Sequence, residues 1–408
     1  MVKRQIPRWS DLRPLLGTRE FTWSARQRRV AGAANILDLR EIAFRRTPRS
    51  VFDYTDGAAE GEVSLARARQ AFRRVEFHPR VLRDVGDVDT STTVLGQHSR
   101  LPLIFAPTGF TRMMQHEGEP AVARTAERGG IPYVLSTLGT TSIESVRQAA
   151  PEADLWFQLY VRRDRSLSET LLASARAAGY RTLMLTVDTP VGGARMRDVR
   201  NGLTIPPTLR AKTLADMAMH PAWWANILTT EPLEFASLRS TGGNVADLID
   251  RLFDPSVTFE DVSALREQWD GSLVIKGLQR VDDARRAVDA GADGVVLSNH
   301  GGRQLDRTVT PLELLPDVVD AVGDRADVFI DTGVLNGADV VAAVALGATA
   351  VLTGRAYLYG LMAGGQLGVQ RAYDILASEI TRTLQLMGVS SVRELSADFV
   401  SLRPPAHS

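Results

Sequence analysis

Leu273-Val274-Ile275-Lys276-Gly277, a helical stretch over Val281–Ala290, and Gly294-Val295-Val296-Leu297-Ser298 together decide the fold. Two short, continuous apolar runs flank a helix. Such runs fit strands of a parallel sheet buried on both faces. The same rhythm begins near residue 101. Further strand candidates are Leu103–Ala106, Tyr133–Leu135, Trp156–Leu159, Thr182–Thr186, Val328–Asp331 and Ala350–Thr353. Helical patterns follow them, including Gly337–Leu346 and the long Gln366–Met387. Eight βα units predict an α/β fold, a single closed (β/α)8 barrel, more than an open sheet. The rival doubly wound fold usually shows a glycine fingerprint after its first strand. Here Leu103–Ala106 runs into Pro107-Thr108-Gly109-Phe110 instead.

Composition agrees with one large soluble domain. The chain has 408 residues, 44% of them apolar and 24% charged. It has no cysteine, which excludes disulfides, thiolate metal sites and a cysteine nucleophile. No metal is expected. The 48 basic and 48 acidic residues balance, which argues against nucleic-acid binding. No apolar run reaches the roughly 18 residues a membrane helix needs. The start, Met1-Val2-Lys3-Arg4-Gln5, lacks the apolar region of a secretory signal, so a cytoplasmic location is expected. Only three basic residues are lysine: Lys3, Lys212 and Lys276.

Three segments depart from the barrel rhythm. The first 50 residues hold 12 Lys/Arg against 4 Asp/Glu, so residues 1–35 read as a basic N-terminal extension. It could lie on an anionic membrane, on an acidic subunit face, or simply on the body. Eighty-six residues separate Thr186 from Leu273, which predicts a long lid or insertion after strand four, at about 203–258. Its Met217, Met219, Trp223 and Trp224 suit a membrane interface, a quinone or a subunit contact. The barrel domain is expected over 36–390, with a tail over 391–408.

Barrel chemistry sits where strands end, and these ends are polar. They read Gln158-Leu159-Tyr160, Thr186-Val187-Asp188, Lys276, Ser298-Asn299-His300, Asp331-Thr332-Gly333 and Thr353-Gly354-Arg355. Singly, each has a dull explanation as a cap or a backbone partner. Together they point at one rim. Gly333, Gly337, Gly354 and Arg355 suggest a phosphate site in loops seven and eight. Lys276 is either a Schiff-base amine or a fixed charge. His300 is a candidate general base and Asp188 its orienting carboxylate. Arg195 and Arg303 suit a substrate carboxylate.

Ser298-Asn299-His300-Gly301-Gly302-Arg303-Gln304-Leu305-Asp306 resembles the signature of the FMN-dependent α-hydroxy-acid dehydrogenases. That family includes glycolate oxidase, L-lactate dehydrogenase and mandelate dehydrogenase, and the bacterial L-lactate branch looks most similar. The likeness covers roughly residues 36–390. It implies that His300 accepts the substrate proton, paired with Asp188. Arg195 and Arg303 would hold the carboxylate. Tyr54 and Tyr160 would bond the carboxylate and the reacting hydroxyl. Lys276 would face the flavin where negative charge develops on reduction. Pro107, Thr108 and Gly109 would run along the flavin, and Ser136, Gln158, Thr186 and Ser298 would bond its ring or ribityl chain. Asp331, Gly333, Gly354 and Arg355 would bind the ribityl and phosphate end.

Three departures stand out. Many relatives carry an arginine that binds the phosphate where this chain has Leu335. Gly109 replaces the alanine of several oxidases, at a position that influences oxygen reactivity. Leu138 and Gly192 replace bulkier pocket residues. The resemblance thus implies FMN-dependent oxidation of a small (S)-2-hydroxy acid, L-lactate favoured, with a quinone or another carrier as acceptor. An oxygen-using oxidase or monooxygenase on lactate, glycolate or mandelate-type acids is the alternative. A Schiff-base aldolase is a further one. A homotetramer and peripheral contact with the inner face of the cell membrane are also expected.

Overall fold

Eight short parallel strands close on themselves in the computed structural model, which describes residues 7–13, 24–161, 165–202, 211–233, 235–236 and 254–404. They are β1 (Leu103–Phe105), β2 (Tyr133–Ser136), β3 (Leu155–Leu159), β4 (Thr182–Thr186), β5 (Ser272–Leu278), β6 (Gly294–Leu297), β7 (Asp327–Ile330) and β8 (Ala350–Thr353). Neighbours follow chain order, and β8 pairs with β1 through Val351 opposite Leu103. The expected (β/α)8 barrel is therefore present and the open sheet is excluded.

Alternation along each strand builds two cores. Inward residues include one or more from every strand: Ile104, Val134, Trp156, Met184, Val274, Val296, Phe329 and Leu352. Trp156 and Phe329 meet edge to face across the interior at 5.9 Å. Val94, from the outer strand Thr92–Val94, plugs the floor of the barrel. Outward residues such as Leu103, Phe105, Phe157 and Leu159 pack under the surrounding helices.

One irregularity shapes the top of the barrel. The β5–β6 register slips between Lys276 and Leu278. Gly277 there has φ +109, and a Cβ on it would lie 2.6 Å from Asp188 Cβ. Only glycine permits both the left-handed backbone and this close approach. It lets the β4 and β5 ends converge.

The segments outside the barrel are tied to it. In the basic extension, the Ala25–Ala31 helix buries Val30, Arg29 donates to the Ala363 carbonyl, and Arg26 pairs with Glu117 at 2.6 Å. The expected tail re-enters the body, because Val400–Leu402 pairs antiparallel with Val75–Phe77. Among its described residues the insertion forms two helices, Ala211–Ala218 and Pro221–Leu228. Trp223 Nε1 donates to the Met113 carbonyl at 2.8 Å, and Phe235 packs on Phe110 with ring centroids 4.2 Å apart. The rest of the insertion at 203–210, 234 and 237–253, with residues 1–6 and 14–23 of the arm, lies outside the described residues.

Phe329→Ala should cost about 3–5 kcal/mol, because the closed interior cannot collapse onto the space left. Chemical denaturation of the two proteins checks this.

Candidate active site

Four consecutive strands deliver a line of charged groups to the top of the barrel. β4 leads to Asp188, β5 carries Lys276, β6 leads to Ser298 and His300, and β7 leads to Asp331. His300 Nδ1 lies 2.9 Å from Asp188 Oδ1. With Asp188 ionised, Nδ1–H donates and Nε2 is left as the basic nitrogen. His300 holds φ +59, a sparsely populated conformation for a residue with a side chain. Its backbone N–H donates to Ser298 Oγ at 2.9 Å, which helps hold it there. Lys276 Nζ donates to the same Ser298 oxygen at 2.8 Å and pairs with Asp331 at 2.9 Å. Ser298 thereby joins the lysine to the histidine loop.

The charges support one another. Burial alone would push the Asp188 carboxyl up. Attraction to His300, their hydrogen bond and the Lys276 charge together hold it below its ordinary value. Burial would likewise pull Lys276 down, yet Asp331 and Asp188 hold it above its ordinary value. A Schiff-base amine must shed its proton to attack a carbonyl. A lysine held more firmly protonated than usual is unsuited to that, which counts against the aldolase alternative.

Opposite this line stands an anion-seeking group. The Arg303 and Arg195 guanidinium carbons lie 4.7 and 5.7 Å from the Tyr54 ring centroid. Among the described residues Arg303 has no carboxylate within ion-pair distance; it donates to the Tyr54 and Gly57 carbonyls. Burial, and next the Arg195 charge, pull it down to about 10. Arg195 has Asp198 at 3.8 Å and an Nε buried without a partner, so two adjacent guanidiniums with one distant counter-charge make a carboxylate welcome. Burial pushes the Tyr160 phenol up, so it remains a hydrogen-bond donor.

These groups border one cavity of about 420 Å³. Its wall includes Tyr54, Pro107, Thr108, Gly109, Ser136, Tyr160, Thr186, Arg195, Lys276, His300, Arg303, Asp331, Gly333, Gly354 and Arg355. Asp188, Gln158 and Ser298 stand behind that wall. A flavin fits the donor set. Gln158 accepts from Ser136 Oγ and Thr137 N, so its Nε2 is buried without a partner. Thr186 Oγ1 and Thr353 Oγ1 are also buried and unpartnered. Leaving such atoms unpaired costs about 1–3 kcal/mol each, which a polar cofactor offsets.

Several expectations shift. The start of the Gly337–Ala345 helix is already capped: Leu335 and Asn336 N–H donate to its own Asp339, and Gly337 N–H donates to Glu379 of the Gln366–Met387 helix at 2.8 Å. Gly337 therefore offers no free amide to a phosphate. Arg355 is a strut, bonded to the Thr55, Gly57 and Gly301 carbonyls at 3.0, 2.8 and 2.9 Å. Asp331 is committed to Lys276. Leu138 lines the cavity, whereas Gly192 does not. A Cβ on Gly109 would lie 2.9 Å from Leu138 Cβ, so alanine there displaces Leu138.

Sequence reasoning missed residues before the barrel. Arg40, Asp56 and Arg69 line the cavity, as does Tyr359 from the last barrel helix. Arg40 and Arg197 both pair with Asp56, at 2.6 and 3.0 Å. Gln304, within the signature segment, is a loop tie. Its Nε2 donates to the Asp188 and Val191 carbonyls and its Oε1 accepts from Gly193, which ties loop four to loop six.

Comparison with known proteins points the same way. The family model described as FMN-dependent dehydrogenase matches residues 43–402. A Mycobacterium tuberculosis protein named provisionally as an L-lactate dehydrogenase is 54% identical over 98% of this chain and 97% of its own. The L-lactate dehydrogenase of Caulobacter vibrioides is 43% identical over 91% of this chain and 98% of its own. The crystal structure of the monotopic membrane protein (S)-mandelate dehydrogenase superposes with TM-score 0.88 at 39% identity, covering 91% of this chain and all (100%) of that one.

Asp188→Asn should lower kcat by about 10²–10⁴-fold, because a neutral amide neither fixes the Nδ1–H tautomer nor supports a protonated ring. The native carboxyl, held below its ordinary 3.8, adds stability above that pH and loses it as pH falls through the lowered value. The variant should therefore lose part of the native acid sensitivity. Steady-state rates and acid denaturation read the two effects.

Proposed function

The chain belongs to the FMN-dependent dehydrogenase family, and on that footing we propose that it oxidises an (S)-2-hydroxy acid, L-lactate foremost, to the 2-oxo acid. The observation that carries this reading is the His300–Asp188 pair sharing one cavity with the Tyr54, Arg195 and Arg303 group. Arg303 and Arg195 hold the substrate carboxylate, and Tyr54 orients it. The Tyr160 phenol hydrogen-bonds the reacting end. His300 takes the substrate proton on Nε2, and Asp188 stabilises the imidazolium that results. FMN, when bound, supplies the two-electron acceptor. Lys276 remains a fixed cation held by Asp331 and Ser298. Pro107, Thr108, Gly109 and Ser136 provide wall for the cofactor, with Gln158 and Thr186 offering unpaired polar atoms.

Electrons then pass to a quinone or another carrier. Support comes from Gly109, which stands where several oxidases of the resembling family carry alanine, at a position that influences oxygen reactivity. A second reading has one specific support. The chain resembles a mandelate oxidase structure at TM-score 0.76 and 38% identity, so an oxygen-using enzyme for aromatic hydroxy acids is the rival. Under argon, L-lactate should bleach the yellow protein faster than (S)-mandelate does. A soluble quinone should restore colour faster than oxygen. Faster recovery with oxygen would overturn the acceptor assignment.

We also assign this enzyme to a membrane surface as a peripheral protein. Among the described residues no helix is long and apolar enough to cross a membrane. The two insertion helices and the link between them nevertheless expose Leu214, Met219, Trp224 and Leu228, at 52, 73, 40 and 73%. Grouped exposed apolar side chains mark a contact surface. The likeness to a monotopic relative makes lipid the favoured contact. A tetramer, as the resemblance implies, completes the proposal. Wild type should sediment with anionic vesicles, and Met219→Glu/Leu228→Glu should stay in the supernatant with lactate turnover intact. Wild type remaining soluble would sink the membrane assignment.

A further inference from the structure

Most guanidinium donors at the phosphate end of the cavity are already spent. Leu335 puts an apolar side chain on its wall, and the Gly337–Ala345 helix spends its first amides on Asp339 and Glu379. Arg355 spends Nε and Nη2 on backbone carbonyls. Arg40 gives Nε and Nη2 to Asp56, and Arg197 gives Nη1 to Asp56 and Nη2 to Glu62, so neither has two adjacent donors to spare. Beyond Arg355, whose charge has no carboxylate partner among the described residues, a dianion in this region needs a second guanidinium with donors to spare.

Arg69 occupies the gap. It comes from the Val63–Arg73 helix, ahead of every barrel strand, and its side chain is 24% exposed on the cavity wall. Nη1 donates to the Gly333 carbonyl and pairs with Asp339 at 2.6 Å. Nε and Nη2 have no protein partner among the described residues. One side of the guanidinium is thus anchored and the other is left to a ligand. Two observations nearby also point to an anion. The Arg355–Gly364 helix starts at Gly354 with no side-chain cap. The residue before it, Thr353, is 1% exposed with its hydroxyl buried and unpartnered.

We propose that Arg69 binds the FMN phosphate in this chain and stands in for the arginine that Leu335 displaces. The Thr353 hydroxyl and the first amides of the Arg355–Gly364 helix complete the subsite. An anchored guanidinium gives a charge-assisted hydrogen bond in a fixed direction. The helix start adds N–H groups and the positive end of its dipole. Asp339 has a positioning role, because it sets where that guanidinium points. The proposal rests on the FMN reading and extends it to a residue outside the barrel.

Riboflavin, which is FMN without its phosphate, separates the possibilities. Protein stripped of flavin is titrated with FMN and with riboflavin, and quenching of flavin fluorescence reads both affinities. Wild type should bind FMN more tightly. Arg69→Met should weaken FMN by about ten- to hundredfold, the scale of a lost charged hydrogen bond, and leave riboflavin unchanged. Arg69→Met/Leu335→Arg should regain most of the FMN affinity. Should Arg69→Met fold poorly, Arg69→Lys keeps the charge without the fork and should show a smaller, still FMN-specific loss. Equal losses for both flavins would mean that Arg69 merely braces Asp339, and would overturn the proposal. Unchanged FMN binding would do the same and leave the flavin reading standing. Wild-type protein that takes up neither flavin would sink the flavin reading, and this proposal with it.

Discussion

Lys276 is 4% exposed and still carries a charge, and much of the upper barrel follows from that. A buried ammonium is tolerable only when paired and hydrogen-bonded. Asp331 on one side and Ser298 on the other meet the requirement. The Lys276 charge in turn helps keep Asp188 ionised, and Asp188 orients His300. Acid, base and cation are therefore one electrostatic unit. Removing any member leaves a neighbour buried without its counter-charge, which is a larger penalty than loss of one contact.

Barrel closure makes the unit possible. The groups come from β4, β5, β6 and β7, which are neighbours in space because they are neighbours in sequence. The slip at Gly277 then brings Asp188 against the β5 end. The facing wall has another origin. Tyr54 and Arg69 arrive on helices that precede the barrel, and the loop after β6 binds those helices to it. Asp306 accepts from the Val63 and Ser64 amides, capping the helix that carries Arg69. The signature segment thus holds a catalytic base at one end and a structural cap at the other.

This division explains what could be read in advance. The strands were legible because each is an uninterrupted apolar run, and the residues at their ends inherit a known position on the rim. His300, Asp188, Lys276 and the two guanidiniums needed no more than that. Arg69 was not legible, since it is one of 45 arginines in the chain and sits in an amphipathic helix like many others. Nor could sequence show which amides at a helix start are already taken, because Glu379, which accepts from Gly337, lies 42 residues away. Arg355 looked like a phosphate ligand for the same reason. Its glycine-flanked position is visible in the sequence, whereas the carbonyls that claim it come from the end of the Arg49–Asp56 helix and from the loop after β6. Long-range partners escape local pattern reading.

The pairing of Val400–Leu402 with Val75–Phe77 bears on how the enzyme is made. The Val75–Phe77 strand follows the helix bearing Arg69, and its partner is made more than 300 residues later. β8 must also emerge before it can seal against β1. Nascent chains therefore spend most of translation with an incomplete pocket and unsatisfied strand edges. A pocket lined by residues from Arg40 to Tyr359 is therefore complete only after β8 has closed on β1.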